Sequence, residues 1–583
     1  MRRSVTAAMA VALVVLFLAP TLLLAQTRVV YASGPTLDQV ILADTTAGGF
    51  PAHSVYQLVS LDTTYIFDGT ITFKSGVSVI GVPDPTTGKL PCIQPDVLPD
   101  NSIPGLLFTL TGKGGHYTFK NLYLLGIAIN NVVNYGGGQA IQVSADSLRL
   151  VVDNVVFEQW SQFAIGYSGS WDKFFITNCK FRNMTTQPTQ WYVGEVLRNE
   201  NYLGKFPTDS IYIRYNTMLC VSGYAACPVT AALVNYFEFS HNSVIYTFKN
   251  PFFIFNVTHA KINDNIFYGT YAGGVSMVEN PWWDNLWFPD TSYGVVALEE
   301  LDSLKITVFA PGHPPVPNGQ TDTTAERLRV VEVKNNVCFW PSGLTSFHTA
   351  WNDTATVLRV ILASWMNART VNMFTDKNTW PGLTESGSLS VDPGYGPGVN
   401  GVLDPGTGVD VGLLNWFRVV RLGTGTTEIW GYKTTQVGSA ANWTPQWPLP
   451  ETADMKYSNG LLLTGGTDGR PVGDPWWFNG TNGGPTSAER GMILPNSFEL
   501  SAPYPNPFNP TTHLNLSLVE SGVVTFKVYN IMGQEVATII NGELRQAGVY
   551  TLSVDLSHLS SGVYFGIVEQ GMNRATQKLV LMK

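Results

Sequence analysis

The chain has 583 residues, enough for more than one domain, and 13% of them are charged, against roughly 25% in ordinary globular domains. The formal net charge is −9, and no basic stripe of the kind that binds nucleic acid is visible, so we expect no nucleic-acid partner. Aromatic residues reach 12%, and 56 glycines accompany 35 prolines, a composition that favours a large secreted β-protein.

The N-terminus has the features of a secretory signal peptide. Arg2 and Arg3 form a basic start, an apolar run covers residues 6–24, and Ala25 precedes the expected cleavage point. We therefore predict a signal peptide over residues 1–25. No later stretch has the length and apolar character of a transmembrane span, so none is predicted.

The middle of the chain repeats a six-residue frame that is apolar at both ends. The first residues of the frames are separated by 33, 24, 37, 26, 23 and 71 positions, and the frames begin at Phe119, Val152, Ile176, Ile213, Phe239, Ile262 and Val333. A period in the low twenties predicts a solenoid whose coils stack strand on strand. We expect the gap of 71 to hold two or three coils with an insertion.

Asparagine recurs at the third or fourth place of these frames. Its short amide tolerates a left-handed backbone at a corner, and it can also bond the asparagine of the next coil. The pattern predicts that Asn242 and Asn265 are buried on successive coils, with their amides bonded along the stack. His241 stands at the third place of its frame, and we interpret it as a substitute in this row and not as a catalyst.

This rhythm resembles the right-handed parallel β-helix of the pectate-lyase-like superfamily over residues 31–380, including a strand pair at 65–81 before the first full coil. The resemblance implies an all-β chain with a right-handed parallel β-helix solenoid over residues 26–390. It does not fix an activity, because the fold hosts lyases, hydrolases, adhesins and inert surface proteins.

Beyond the repeats, the chain becomes glycine-rich. We predict that residues 391–479 form an end cap, because a bare solenoid end would leave unpaired strand edges and an exposed core. Residues 480–493 have the composition of a linker.

The C-terminal residues alternate apolar and polar side chains in short runs that turn signals separate, which predicts a small antiparallel β-sandwich. Four motifs, at 504–510, 528–536, 559–565 and 578–583, resemble the C-terminal sorting domain of the type IX secretion system of Bacteroidota. The resemblance implies an Ig-like sorting domain over residues 494–583, the type IX secretion machinery as partner, and a secreted or cell-surface location after passage through the periplasm.

Acids and arginines gather in one part of the repeats. Polysaccharide lyases of the resembled fold use clustered acids to hold Ca²⁺ and an arginine or lysine as the base. Candidate catalytic residues are therefore Glu195, Arg198, Asp209 and Arg214. The alternative is that these are ordinary solvent-facing charges. No cofactor is evident and no metal site is predicted, with Ca²⁺ expected only if the protein is a lyase.

A tryptophan-rich segment is the candidate substrate-binding feature. Trp282, Trp283 and Trp287 lie between two prolines, and flat aromatic faces stack on sugar rings. The alternative is a hydrophobic plug against the side of the solenoid. The possible bridge between Cys220 and Cys227 is also left open, against two buried thiols.

These features predict a secreted, non-catalytic surface protein that binds glycan or builds the cell envelope. The alternative is a polysaccharide lyase or another carbohydrate-active enzyme.

Overall fold

Most elements of the chain are β-strands. The structure, a computed structural model, forms two units, Met1–Phe478 and Asn479–Lys583. It describes residues 27–60, 64–130, 138–184, 194–200, 207–226, 233–252, 256–273, 294–298, 300–301, 323–354, 360, 364–402, 412–414, 432, 447–449, 454–478, 498–518, 522–545, 548–571 and 573–583.

Within its described residues, the first unit carries 25 strands and a few short helices. Its helices are Leu37–Leu42, Thr323–Leu328, Ser342–Thr354, Ala368–Thr375, Pro397–Asn400 and the 3₁₀ turn Pro475–Trp477. Its strands are β1 (Thr27–Val30), β2 (Val55–Val59), β3 (Tyr65–Phe67), β4 (Ile71–Phe73), β5 (Ser78–Val82), β6 (Cys92–Pro95), β7 (Leu106–Leu110), β8 (His116–Leu125), β9 (Gln139–Val143), β10 (Arg149–Glu158), β11 (Phe163–Tyr167), β12 (Lys173–Thr177), β13 (Lys180–Met184), β14 (Glu195–Asn199), β15 (Thr208–Arg214), β16 (Thr217–Val221), β17 (Val234–Ser240), β18 (Ser243–Thr247), β19 (Val257–Asn263), β20 (Ile266–Tyr268), β21 (Gly294–Val296), β22 (Val330–Lys334), β23 (Val337–Phe339), β24 (Ser364–Met366) and β25 (Leu383–Ser386).

All pairings between these strands are parallel, and 18 of the strands belong to one large sheet. The first ladder runs β1-β2-β5-β8-β10-β12-β15-β17-β19-β22-β25. The second ladder runs β3-β6-β8-β10-β13-β16-β18-β20-β23, so the long strands β8 and β10 serve both. A third ladder runs β4-β7-β9-β11-β14, and β21 pairs with β24.

The predicted stacking of the frames is confirmed in register. The first residues of successive frames are direct partners in parallel strands, in the order Phe119, Val152, Ile176, Ile213, Phe239, Ile262 and Val333. The expectation of two or three coils in the gap of 71 is wrong. Because β19 pairs directly with β22, that gap is a single step of the first ladder with a long insertion.

The third place of the frame is the left-handed corner. Its φ angles lie between 53° and 59° at Asn121, Asn154, Asn178, Tyr215, His241, Asp264 and Asn335. His241 therefore occupies the corner row, as its place in the frame predicts. Asparagine suits this backbone because its side chain is short and bonds locally.

In the last four frames the fourth place forms a buried amide ladder, which confirms the prediction for Asn242 and Asn265. The side-chain nitrogen of Asn216 donates to the Asn242 oxygen at 3.0 Å, Asn242 donates to Asn265 at 3.1 Å, and Asn265 donates to Asn336 at 2.9 Å. Each accepting oxygen also receives the backbone N–H of the preceding asparagine, at 2.9–3.1 Å. Every polar atom of these amides thus has a partner inside the stack.

The segment predicted as an end cap contacts the side of the second ladder. Its described residues 454–478, which we call the strap, place the Asp474 carboxylate 2.6 Å from the Lys180 ammonium group and 2.7 Å from the Thr217 hydroxyl. The Trp477 indole donates to the same hydroxyl at 2.7 Å. The end-cap prediction did not include this side contact, and whether the segment also covers an end stays a prediction.

The second unit contains two antiparallel sheets. One is built of β26 (Glu499–Leu500), β27 (Thr511–Leu518) and β30 (Gly548–Asp555), and the other of β28 (Gly522–Asn530), β29 (Glu535–Arg545), β31 (Gly562–Gln570) and β32 (Asn573–Leu581). Alternate residues of both sheets, such as Leu516 and Phe526, are buried in one common hydrophobic cluster. Among the helices that the structure describes in the whole chain, none has the length and apolar character that a membrane crossing requires.

Candidate functional site

Two of the four candidate catalytic residues form a buried ion pair on the third ladder. Glu195 and Arg198 lie on β14, and one terminal nitrogen of Arg198 is 2.6 and 2.8 Å from the two carboxylate oxygens of Glu195. The side chains are 2% exposed for Arg198 and 0% for Glu195. Lys249 approaches the same carboxylate at 3.7 Å. A Cβ on Gly223 would lie 2.1 Å from Cγ of Glu195, so the glycine makes room for this carboxylate.

The other two candidates lie on the outward side of the first ladder. Arg214 donates to Glu238 at 2.5 Å, and Glu238 also accepts hydrogen bonds from Tyr236 at 3.0 Å and Ser240 at 2.7 Å. Burial raises the pKa of Glu238, but the Arg214 charge and these hydrogen bonds outweigh it, so the pKa lies below the usual range. Its carboxylate is therefore held ionised by its neighbours.

Asp209 is separate from that network. Its carboxylate is 3.9 Å from the Lys173 ammonium group, a loose ion pair. Burial raises the pKa of Asp209, and the Lys173 charge offsets only part of that effect. The four sequence candidates thus fall into three arrangements on two different ladders, each with its own partner.

No shared acidic cluster joins them in the described part of the chain. Within those residues, no group of three or more histidine, cysteine, aspartate or glutamate side chains is arranged to hold a metal ion. The geometry that a Ca²⁺-dependent site requires is several oxygen ligands around one point.

Sequence reasoning missed an aromatic row on the outward side of the first ladder. Phe175 stacks on Tyr212 with ring centroids 4.8 Å apart at 5°, and Tyr212 meets Tyr236 at 5.1 Å. The Arg214 guanidinium lies 5.0 Å from the Tyr212 ring centroid. The signal was present in the sequence, because Phe175 and Tyr212 each precede the first residue of a frame and so share an outward position.

The tryptophan candidates Trp282, Trp283 and Trp287 lie outside the described residues, as does Cys227. The sugar-stacking role of the tryptophans and the Cys220–Cys227 bridge therefore stay predictions.

His241 lies where the corner row meets the strap. Its ring stacks on Tyr215 at 5.3 Å, and its Nε2 is 3.5 Å from Asp264 and 3.3 Å from Asp468 of the strap. Burial raises the pKa of Asp468, but His241 and Arg470 outweigh it and leave the pKa at about 2. The cluster joins the strap to the corner row.

Comparison with known proteins identifies the C-terminal unit. Residues 502–582 match the family described as the secretion system C-terminal sorting domain. No curated protein and no solved structure was found to match the chain. The chain is thus an exported protein. More specifically, it is a cargo of type IX secretion, delivered to the cell surface or outside the cell, which confirms the predicted location.

Proposed function

We propose that residues 26–390 form a right-handed parallel β-helix, and that the exported protein is a non-catalytic surface protein that binds glycan. The three parallel ladders and the unbroken register of the frames support the β-helix. Such a stack presents outward side chains at a rigid repeat of about 4.8 Å, which suits an extended polymer.

One observation carries the non-catalytic proposal: each candidate base, Arg198 or Arg214, is paired with a carboxylate. An arginine acts as a base only after losing its proton. Burial lowers the pKa of Arg214, but Glu238 outweighs it and raises the pKa above the usual arginine range. Arg198 is bound to both oxygens of Glu195. Both pairs favour the protonated guanidinium, which cannot act as a base.

The test is a screen of the mature protein against acidic and neutral polysaccharides, with two readouts. We expect retention on at least one immobilised polysaccharide and no unsaturated product by ultraviolet absorbance. Formation of unsaturated product that is lost in Arg198→Gln or Arg214→Gln would instead establish the polysaccharide lyase, the alternative function.

Trp283→Ala provides a second arm of the same screen. If the tryptophan segment is a sugar platform, the variant should lose retention while its melting temperature stays within a degree or two of the parent, since an exposed ring contributes little to folding. A large loss of stability with unchanged retention would favour the hydrophobic plug.

A further inference from the structure

Three basic side chains stand side by side on the outward side of the first ladder. His116 on β8, Arg149 on β10 and Lys173 on β12 are direct partners in consecutive parallel strands. Neighbouring strands lie about 4.8 Å apart, so the three positions form a short row, which we call the basic row. Arg149 and Lys173 are like charges in adjacent register and repel one another, so this arrangement costs free energy unless an anion lies between them.

Arg149, at the centre of the row, is a buried cation to which the described residues supply no acidic partner. The residue is 6% exposed, and its guanidinium lies over the Phe175 ring at 4.7 Å. Its Nε has no hydrogen-bond partner, and among the residues that the structure describes no carboxylate forms an ion pair with it. Burial lowers the pKa of Arg149 to about 10. Buried charges in proteins are normally paired, so an unpaired one indicates a missing anion.

The described acids near the row do not pair with Arg149. Asp209 is 3.9 Å from Lys173, and Asp172 accepts the Leu148 N–H, with burial raising its pKa to about 8. Asp153, on the same strand as Arg149, is bound by Lys120 at 2.8 Å. Partial desolvation, together with the nearby charges of Arg149 and Lys173, lowers the pKa of His116.

We propose that His116, Arg149 and Lys173 form an oxyanion site that takes the carboxylate or sulfate groups of an acidic polysaccharide. The proposal rests on the proposed glycan-binding function and names its ligand class. His116 is exposed and the Lys173 side chain is 26% exposed, so the row is open to solvent at its two ends. The Arg149 guanidinium lies between the side chains of His116 and Lys173, which can also donate hydrogen bonds. Together they can bind an oxyanion through charge-assisted hydrogen bonds.

The experiment measures binding of oligogalacturonate, dextran sulfate and neutral dextran by calorimetry at fixed ionic strength. The parent protein should bind at least one acidic polymer and should not bind neutral dextran. Binding of oligogalacturonate identifies carboxylate as the ligand group, and binding of dextran sulfate identifies sulfate. Arg149→Met, whose apolar side chain can lie over Phe175, should weaken that binding about tenfold or more. Lys120→Met is the matched control, because it removes one positive charge from the same ladder, and that charge is already paired with Asp153. The control variant should bind the polymer as the parent does.

A second measurement tests the site without a polymer. The His116 ring is titrated by NMR of ring-labelled histidine in inorganic sulfate and in chloride, with His116→Gln assigning the signal. Sulfate should raise the pKa of His116 in the parent and in Lys120→Met, and not in Arg149→Met. If no polysaccharide binds but this rise occurs, the glycan proposal fails and the oxyanion site stands. Equal responses of the parent and Arg149→Met in both measurements would overturn the site.

Discussion

Neighbouring places of the repeated frame have different physical requirements. The third place needs a left-handed backbone, which Tyr215 and His241 adopt as well as asparagine. From Asn216 onward, the fourth place holds a buried amide that both donates and accepts along the stack. The sequence predicted that asparagine would serve both as a left-handed corner and as a hydrogen-bonded ladder. It could not say which place of the frame serves which role, because asparagine occurs at both places and only the backbone φ angle distinguishes them.

Asn265→Leu should destabilise the first unit. The change removes the donor to the Phe239 carbonyl and the acceptor of the Asn242 N–H, at 2.7 and 2.9 Å. Each buried group left unpaired costs roughly 1–3 kcal/mol. Chemical denaturation should show this loss, whereas the same change at the half-buried Asn263 on β19 should cost less. Equal stabilities for Asn265→Leu and the parent would show that the ladder bonds do not matter.

Stability should fall as the pH drops below about 6.5, in part through His348. Burial lowers the pKa of His348 from 6.5 to about 4, although its bond to the Ala272 carbonyl partly opposes this. The unfolded state therefore binds the proton first, and stability is lost as the pH falls between these values, by about 3 kcal/mol in all. His348→Gln, which keeps a donor for Ala272, should flatten this part of the stability–pH curve measured by denaturation. An unchanged slope would assign the loss to other groups.

The strap shows why the packing of one element on another was beyond the sequence. Lys180 and Asp474 are separated by 294 positions, and neither residue lies in a pattern that marks it as a partner. The frames were predictable because each repeat pairs with its own neighbour, whereas the strap contacts the second ladder through individual hydrogen bonds and ion pairs without strand pairing. The two arginine pairs of the candidate site were missed for the same reason, since their partners could be chosen only in three dimensions.

Asp474→Ala should loosen the strap strongly. Removal of the carboxylate leaves the buried Lys180 ammonium group, 6% exposed, without its charge partner. Breaking a buried pair in this way typically costs about 3–5 kcal/mol. Limited proteolysis should cut the strap faster in this variant, and adding Lys180→Met should restore part of the resistance. Lys120→Met, which breaks a pair with 42% and 20% exposed side chains, should leave the cleavage rate near that of the parent.

At the scale of the whole molecule, the sorting unit and the first unit, which contains the ladders, were predictable from different features of the sequence. The C-terminal motifs were predictable because short sequence signatures specify this domain, and residues 502–582 match it. The parallel strands were predictable from the frame period. The basic row was not predictable, because it appears only once His116, Arg149 and Lys173 are placed in register.

Removal of residues 494–583 should leave the protein in the periplasm. The sorting domain directs export, while the first unit has its own hydrophobic core and should fold without it. Cell fractionation and surface labelling of the truncated and complete chains provide the measurement, with 494–583 fused to an unrelated periplasmic protein as the converse test. Normal surface display of the truncated chain would contradict the assignment of export to this domain.

The amide ladder has an end, and this gives the stack a fixed order. At the fourth place the earliest coils carry the buried apolar side chains Leu122 and Val155, and Cys179 is the last before the asparagines begin at Asn216. The Cys179 backbone N–H still bonds the Asn216 oxygen at 2.8 Å, so it closes the ladder without an amide of its own. A coil moved across this boundary would set an amide against an apolar neighbour and leave its donor unbonded. The interior row therefore helps to encode which coil follows which.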